Sequence, residues 1–167
     1  MFQEYIYTFL ISMTPIGELR VGIPVAINVY DLNVFEAFIF AVLGNIFVAF
    51  LLLLSFKKIF EYIVGKDNIL ARVITKWKNR TENKYLGPTQ RLGDILIVLF
   101  IAIPFPLTGA WTGSLISFLL GIPLKKALTL ISIGVLIAGV IVTLFTVGIK
   151  NIVWFTYSAI GSATLQI

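Results

Sequence analysis

Apolar residues dominate two long stretches of this chain, and few polar positions interrupt them. Residues 34–56 carry a single charge, Glu36, and residues 127–149 carry none. Each stretch is 23 residues long, which is enough to cross about 30 Å of hydrocarbon as a helix rising ~1.5 Å per residue. The pattern therefore predicts two transmembrane helices, one at 34–56 and one at 127–149.

Two further apolar stretches, residues 2–30 and 92–122, are broken near their middle by proline and glycine. Such breaks are tolerated in lipid only where protein or a water-filled cavity surrounds them, and matching breaks in two halves of a chain are typical of a transporter binding site. We expect each stretch to fold as a helical hairpin with its break at the tip. The residues predicted to form the tips are Pro15, Gly17, Gly22 and Pro24 in the first hairpin, and Pro104, Pro106, Gly109 and Gly113 in the second.

The distribution of basic residues favours hairpins that enter and leave the membrane on one side. Nine of the thirteen Lys and Arg residues lie in residues 57–91, and the positive-inside rule places such a segment in the cytoplasm. If residues 92–122 crossed the membrane once, Lys125 and Lys126 would lie on the opposite side from this segment. A re-entrant hairpin instead keeps them in the cytoplasm. By the same argument, residues 2–30 form a hairpin that enters from the outer face.

These elements predict an all-α integral membrane protein made of two inverted repeats in a single membrane domain. Each repeat is a re-entrant hairpin followed by a transmembrane helix, and one span between the hairpins inverts the second repeat. A proline followed seven residues later by glycine occurs in both hairpins, at Pro15 and Gly22 and at Pro106 and Gly113. The predicted boundaries are 1–56 for repeat 1 (hairpin 2–30), 57–91 for cytoplasmic amphipathic helices, 92–150 for repeat 2 (hairpin 92–122), and 151–167 for an apolar tail. The tail could cross the membrane, lie at its interface or pack at a dimer contact.

Composition excludes several classes of function. The chain is 59% hydrophobic and only 13% charged, whereas about a quarter of the residues in globular domains are charged. It contains no cysteine and no histidine, which removes disulfides, the commonest general base and the usual metal ligands. Because carboxylates are not clustered either, we expect neither an enzyme nor a metal or cofactor site. The positive-inside bias accounts for the net charge of +5, so we do not expect nucleic acid as a partner.

Glu18 and Arg20 are the leading candidates for chemistry, because the first hairpin places both at membrane depth. A charge at the centre of a membrane helix costs roughly 2.5–3.5 kcal/mol on insertion scales, and charges that persist there pair or line a cavity. The planar guanidinium of Arg20 suits a phosphate or a carboxylate, and Glu18 could neutralise it at rest and release it when protonated. The alternative is a static salt bridge that pins the hairpin.

The second tip carries no charge but offers polar groups at Thr108, Trp111 and Thr112. Hydroxyls suit an anion or a coordinated cation equally well, so the residue types do not choose between the two. The alternative is that small residues here only allow close helix packing, and that Trp111 is an interfacial anchor. Asn45, in the first predicted span, is placed to hydrogen-bond a hairpin tip.

Two segments of the chain resemble the prokaryotic family of small multidrug export proteins. They are Glu18 and Arg20 with the following Pro24, and the longer run PFPLTGAWTG from Pro104 to Gly113. The resemblance covers nearly the whole chain and implies a small membrane exporter. That family is more distantly similar to the DedA or VTT membrane proteins, whose re-entrant hairpins carry acidic and arginine residues and whose members are implicated in moving lipids across membranes. On that resemblance, Glu18 and Arg20 match the acidic and arginine tip positions.

Residues and resemblance together predict a small integral membrane transporter or exporter that is ion- or proton-coupled. Its substrate site would lie between the two hairpin tips near mid-membrane. The alternative is a lipid translocase or scramblase acting on an anionic phosphate head group, and a scaffold role for the hairpins is a third hypothesis. The expected partners are membrane lipids and a small-molecule or lipid substrate, and a homodimer is compatible with the small size of the chain.

Overall fold

The computed structural model describes residues 2–64, 90–105 and 108–164, and every regular element in these residues is an α-helix. The chain order is two short helices, a long helix, two more short helices and a second long helix. The predicted all-α architecture is therefore confirmed for the described part of the chain. The helices are α1 (Phe2–Met13), α2 (Glu18–Asn28), α3 (Val34–Val64), α4 (Gln90–Ala102), α5 (Ala110–Leu119) and α6 (Leu124–Thr164).

The two long helices each contain a segment that is long and apolar enough to cross a membrane. These segments are Val34–Ile59 in α3 and Leu124–Trp154 in α6, and each has a mean hydropathy of 2.7. Because both coincide with the stretches that the apolar pattern marked out, the two predicted spans are present as helices.

Both long helices extend beyond their predicted ends. Residues 57–64 continue α3, and residues 151–164 continue α6, so the described part of the apolar tail is not a separate element. Neither helix contains a proline, and a lysine on the surface of a helix does not end it as a proline would. The predicted amphipathic segment comprises residues 57–91, of which residues 65–89 lie outside the described residues.

In the first half of the chain, α1 packs along α3 and runs in the same direction. The rings of Tyr5 and Phe40 stack with their centroids 4.7 Å apart, and those of Phe9 and Phe47 lie 5.7 Å apart. The two contacts advance together along both helices, which fixes the relative direction. Aromatic pairs of this kind contribute ~0.5–1.5 kcal/mol beyond the area that they bury.

In the second half, α4 packs along α6 in the same direction. Near the start of both helices, Lys126 Nζ lies 2.8 Å from Asp94 Oδ2. Further along, Gly134 lies so close to Ile101 that a Cβ built on the glycine would be 2.7 Å from the Ile101 Cβ. Since only residues 120–123 join α5 to α6, the start of α4 and the end of α5 lie at the same end of the molecule.

Close approach at glycine holds each short pair of helices against its long helix. In the first half Ser12 fits between two glycines, because a Cβ on Gly22 or on Gly44 would lie 3.2 Å from the Ser12 Cβ. In the second half Ile101 lies between Gly134 and Gly113, where a new Cβ would be 2.5 Å from the Ile101 Cδ1. Small residues let helix backbones approach in this way in membranes, where dispersion contacts drive packing.

The long helices α3 and α6 run in opposite directions. Late in α3, the ring of Phe56 lies 5.6 Å from that of Phe118, which is at the end of α5 beside the start of α6. Late in α6, Lys150 Nζ donates a hydrogen bond to the carbonyl of Ile27 at 3.3 Å, beside the start of α3. The end of each long helix therefore lies beside the start of the other.

Apolar side chains make up both the centre and the surface of this bundle. Ile23, Ile101 and Ile131 are fully buried where the helices meet. On the outside, Leu144 is 69% exposed and Phe145 is 65% exposed. Exposed apolar rows of this size are unusual for a soluble monomer and are typical of a surface that faces lipid.

Candidate functional site

The first helix break is a tight turn between α1 and α2. Thr14 stabilises it locally, since its Oγ1 donates to the carbonyl of Ile11 at 2.7 Å and accepts from the N–H of Gly17 at 3.1 Å. Pro15, the next residue, has no N–H to continue the helix. Glu18 then begins α2 with a φ of +45°, a left-handed conformation that is uncommon for residues other than glycine and clusters at functional sites.

The second helix break lies between α4 and α5 and is held by Thr108. The Thr108 hydroxyl lies 2.7 Å from the carbonyls of Ile103 and Phe105, and it accepts from the N–H of Phe105 at 3.2 Å. Gly109 then has φ +152° and ψ −159°, a region that is essentially restricted to glycine. Pro106 lies outside the described residues.

The Glu18 carboxylate is buried against the start of α5, on the opposite break. The Trp111 N–H donates to Glu18 Oε1 at 3.4 Å, and the N–H of Ala110 also faces the carboxylate. The first N–H groups of a helix lack partners within it and carry a partial positive charge, so a carboxylate is stabilised there. Gly109 leaves the room for this contact, because a Cβ there would lie 2.6 Å from the Glu18 Cδ.

Arg20 connects the first break to the second. Its Nη2 donates to Thr108 Oγ1 at 2.8 Å and to the Thr108 carbonyl, with the Ile103 carbonyl at 3.5 Å. Its Nη1 lies 3.9 Å from Glu18 Oε2, which is longer than a hydrogen bond. In the described residues the guanidinium is therefore bonded across the two breaks more closely than it is paired with Glu18.

Trp111 makes the reciprocal connection, from the second break to the first. Its indole Nε1 donates to the carbonyl of Met13 at 3.0 Å. Met13 is the last residue of α1, and Ile103, which faces Arg20, directly follows α4. Carbonyls at helix ends lack a partner within the helix. Each break thus supplies a side-chain donor to a carbonyl of the other, Arg20 to those of Thr108 and Ile103 and Trp111 to that of Met13.

The structure brings four of the five predicted site residues together: Glu18, Arg20, Thr108 and Trp111. Thr112 is half-buried in the first turn of α5. The predicted tip residues have different positions. Pro15 and Gly17 lie in the first turn, and Gly109 lies against Glu18. Gly22 and Gly113 lie in helix-packing contacts. Pro24 and Pro104 line a cavity between α2 and α6 that is described below.

Asn45 lies beside the first break, and the sequence predicts that it hydrogen-bonds a hairpin tip. Its Nδ2 donates to the carbonyl of Ser12, in the last turn of α1, at 3.0 Å. A small void of about 10 Å³ lies between Glu18, Arg20 and Asn45, which is close to the room that one water needs. The polar groups of the two breaks are therefore packed closely, with little free space among them.

A larger cavity of about 830 Å³ opens on the other side of Arg20, between α2 and the second half of α6. Sequence reasoning gave no role to Lys150, which lines this cavity. The signal that could have found it is its spacing, four residues after Thr146, on one face of α6. The lining residues are Arg20, Pro24, Asn28, Pro104, Val142, Phe145, Thr146, Ile149, Lys150 and Val153.

Metal ligands are not gathered at this site. The described residues contain no group of three or more Asp, Glu, His or Cys side chains that could hold a metal ion. The polar groups that do converge are a guanidinium, a carboxylate, a threonine hydroxyl and backbone donors and acceptors. A guanidinium can bind an anion, a carboxylate can take up and release a proton, and the hydroxyl and backbone groups can orient a bound ligand by hydrogen bonds.

Two long apolar helices, an apolar surface and two charged residues beside the first helix break define a small α-helical membrane protein. The chain belongs to the family described as "Putative small multi-drug export protein", whose model matches residues 18–141. That description is of a transporter rather than an enzyme. The match begins at Glu18, directly after the first helix break, and includes the second. Comparison with curated proteins and with solved structures gave no match.

Proposed function

We propose that this protein is a small exporter, ion- or proton-coupled, whose substrate site lies where the two hairpin tips meet. The observation that carries the proposal is the position of Arg20, whose guanidinium joins the two helix breaks beside a buried carboxylate. Intramembrane charges of this kind mark substrate and ion pathways. Helices broken near mid-membrane form the binding sites of many secondary transporters.

We also propose that both helix pairs are re-entrant. The four short helices contain 12, 11, 13 and 10 residues, so each is roughly 15–20 Å long at ~1.5 Å per residue. That length is well short of about 30 Å of hydrocarbon. The ion pair between Asp94 and Lys126 further supports a second hairpin that starts and ends on one side. The basic segment 57–91 then lies in the cytoplasm with Lys125.

An inverted repeat accounts for the likeness of the two halves. Both halves contain the same three-way contact around a residue of the first hairpin helix. Its members, Ser12 with Gly44 and Gly22, and Ile101 with Gly134 and Gly113, are 89, 90 and 91 residues apart. Because α3 and α6 run in opposite directions, the second copy is inverted relative to the first. The more distant resemblance to DedA or VTT proteins stays a prediction.

The proposed mechanism is competition for Arg20. At rest the guanidinium is held by Thr108 and lies near Glu18, whose carboxylate is 3.9 Å from Nη1. An anion that approaches Nη1 competes with that carboxylate rather than with the shorter bonds of Nη2. A proton on Glu18 removes the competing charge, so proton and anion bind together and leave together. Cotransport of this kind couples the anion to the proton in a chain without histidine.

Flux in reconstituted vesicles tests the proposal. Under a proton gradient, we expect a fluorescent organic solute to cross the membrane of vesicles that contain the protein faster than that of protein-free vesicles. The probes are ethidium as a cation and anilinonaphthalene sulfonate as an anion. Arg20→Ala should abolish the flux of the anion, because the anion loses the guanidinium that binds it. Arg20→Lys, which keeps the charge without the planar fork, should retain part of it.

The controls separate transport from the other hypotheses. Flux that is equal in wild-type and Arg20→Ala vesicles contradicts the proposed site. Flip of a labelled phosphatidylglycerol without any gradient, with neither solute moving, favours the lipid translocase instead. Glu18→Gln, which keeps an acceptor for the Trp111 N–H but cannot exchange a proton, should leave flux independent of the gradient. Gly148→Ala, away from both breaks, is the matched control.

A further inference from the structure

The cavity between α2 and α6 has the lining of a site for an amphipathic anion. Arg20 and Lys150 line it, and no carboxylate is among the described residues that line it. Lys150 lies at the carbonyl of Ile27, seven residues along α2 from Arg20, or roughly 10 Å at ~1.5 Å per residue. Positive charge is therefore present at both ends of the groove.

The wall between the two cations is apolar. Phe145, Ile149 and Val153 occur at helical spacing on one face of α6 and are 65%, 59% and 62% exposed. Val142 and Pro24 continue the same lining. An exposed apolar face on a membrane helix is open to lipid rather than to water, so a ligand with an apolar body can enter from the bilayer.

The corresponding place in the other half of the molecule is filled. If positions about 90 residues apart are equivalent, Asn28 and Thr146 of the cavity correspond to Phe118 and Phe56. Those two rings pack with their centroids 5.6 Å apart. The two halves therefore differ at this place. Two aromatic rings fill the space in one half, whereas Asn28 and Thr146, which are smaller and polar, leave it open between α2 and α6.

We propose that this groove, lined by Arg20, Lys150 and the apolar face of α6, binds an amphipathic organic anion that reaches it from the membrane. Its anionic group pairs with the cations and its apolar body lies along Phe145, Ile149 and Val153. The volume of about 830 Å³ falls in the range of roughly 300–1,000 Å³ that suits ligands of drug size. The inference rests on the proposed function, since it assigns the substrate class of the same transporter.

Protection of a single introduced thiol tests the inference, because the natural chain has no cysteine. Ile149→Cys places the thiol in the groove, and Leu144→Cys places one on another face of the same helix, where Leu144 is 69% exposed. Both variants are labelled with N-ethylmaleimide in phosphatidylcholine nanodiscs. The added probes are oleate, oleyl alcohol and oleylamine, which share a chain and differ in charge.

Oleate should slow labelling of Ile149→Cys by about tenfold at ten times its Kd, and should leave Leu144→Cys unchanged. The concentration needed for half protection should rise roughly tenfold or more in Lys150→Gln, as expected for one lost charge-assisted hydrogen bond, and should change little in Lys150→Arg. A parallel arm replaces part of the phosphatidylcholine with phosphatidate. Protection there without oleate supports the same chemistry and assigns the anion to a two-chain lipid.

Three results would overturn the inference: equal protection by oleyl alcohol, no protection by either anion, or a thiol already blocked without ligand in a dimeric protein. The last result would show that a second copy of the chain fills the groove. Failure here is distinguishable from failure of the transport proposal. Flux that depends on Arg20, without protection at residue 149, would contradict only the anion site in the groove. Protection without flux would contradict the transport proposal and support an anion site alone.

Discussion

Gly134→Ala is expected to lower the melting temperature of the protein in detergent, whereas Gly148→Ala in the same helix is not. A Cβ at Gly134 would lie 2.7 Å from the Ile101 Cβ and 3.1 Å from the Val98 carbonyl. These are neighbours in the body of α4, which cannot move aside as a flexible side-chain end can. Overpacking of this kind costs ~1–3 kcal/mol, or roughly 2–12 °C for a chain of this size.

Gly148 supplies the matched control. No atom of the described residues lies within 4 Å of a Cβ built there, and alanine favours a helix over glycine by ~0.8–1 kcal/mol. Gly148→Ala should therefore be neutral or slightly stabilising. The measurement is the fraction of protein that keeps its monodisperse elution from a sizing column after heating. Equal melting of the two variants would contradict the close packing of α4 on α6.

Gly109→Ala is expected to have a larger effect, since it disturbs both the backbone and the contact between the two breaks. The conformation at Gly109 is essentially restricted to glycine, and such strain costs about 1–3 kcal/mol. The new Cβ would also lie 2.6 Å from the Glu18 Cδ, which forces the carboxylate away from the N-terminus of α5. We expect most of the folded protein, and all of the flux, to be lost.

A double-mutant cycle separates the two causes. Glu18→Ala removes the carboxylate that the new Cβ would meet but leaves the backbone strain at Gly109. Gly109→Ala should therefore be less destabilising in the Glu18→Ala background, with a coupling of ~0.5–3 kcal/mol as found for residues in contact. The readout is the melting temperature of the four proteins. Strict additivity would contradict the contact between Glu18 and the second break.

The long helices and the helix breaks could be predicted from the sequence because lipid makes strong demands on the chain. Proline and glycine together in an apolar stretch indicate a break, and charges such as those of Glu18 and Arg20 pair or line a cavity. The extent of the first break was predicted less well, since Gly22 and Pro24 lie inside α2. The ends of the long helices were harder to predict. Lys150 resembles the end of a span, but the Ile27 carbonyl accepts its hydrogen bond and α6 continues past it.

Most contacts across the breaks could not be predicted, because one of the two partners is a backbone atom. The carbonyl of Met13, which receives the Trp111 indole N–H, has no signature in the side-chain pattern. The same holds for the Ile103 carbonyl near Arg20. A cavity is likewise a property of how α2 and α6 are spaced, so its volume follows from packing rather than from any one residue.

The topology of the hairpins can be measured directly with single cysteines, since the chain has none of its own. Arg91→Cys marks the start of α4, Lys125→Cys marks the start of α6, and Gln3→Cys marks the start of α1. All three natural residues are exposed. In intact cells, a membrane-impermeant maleimide should label Gln3→Cys but neither of the other two, and both of those should label after lysis. Labelling of Arg91→Cys and Lys125→Cys from opposite faces would show that the second hairpin crosses the bilayer and would contradict the account.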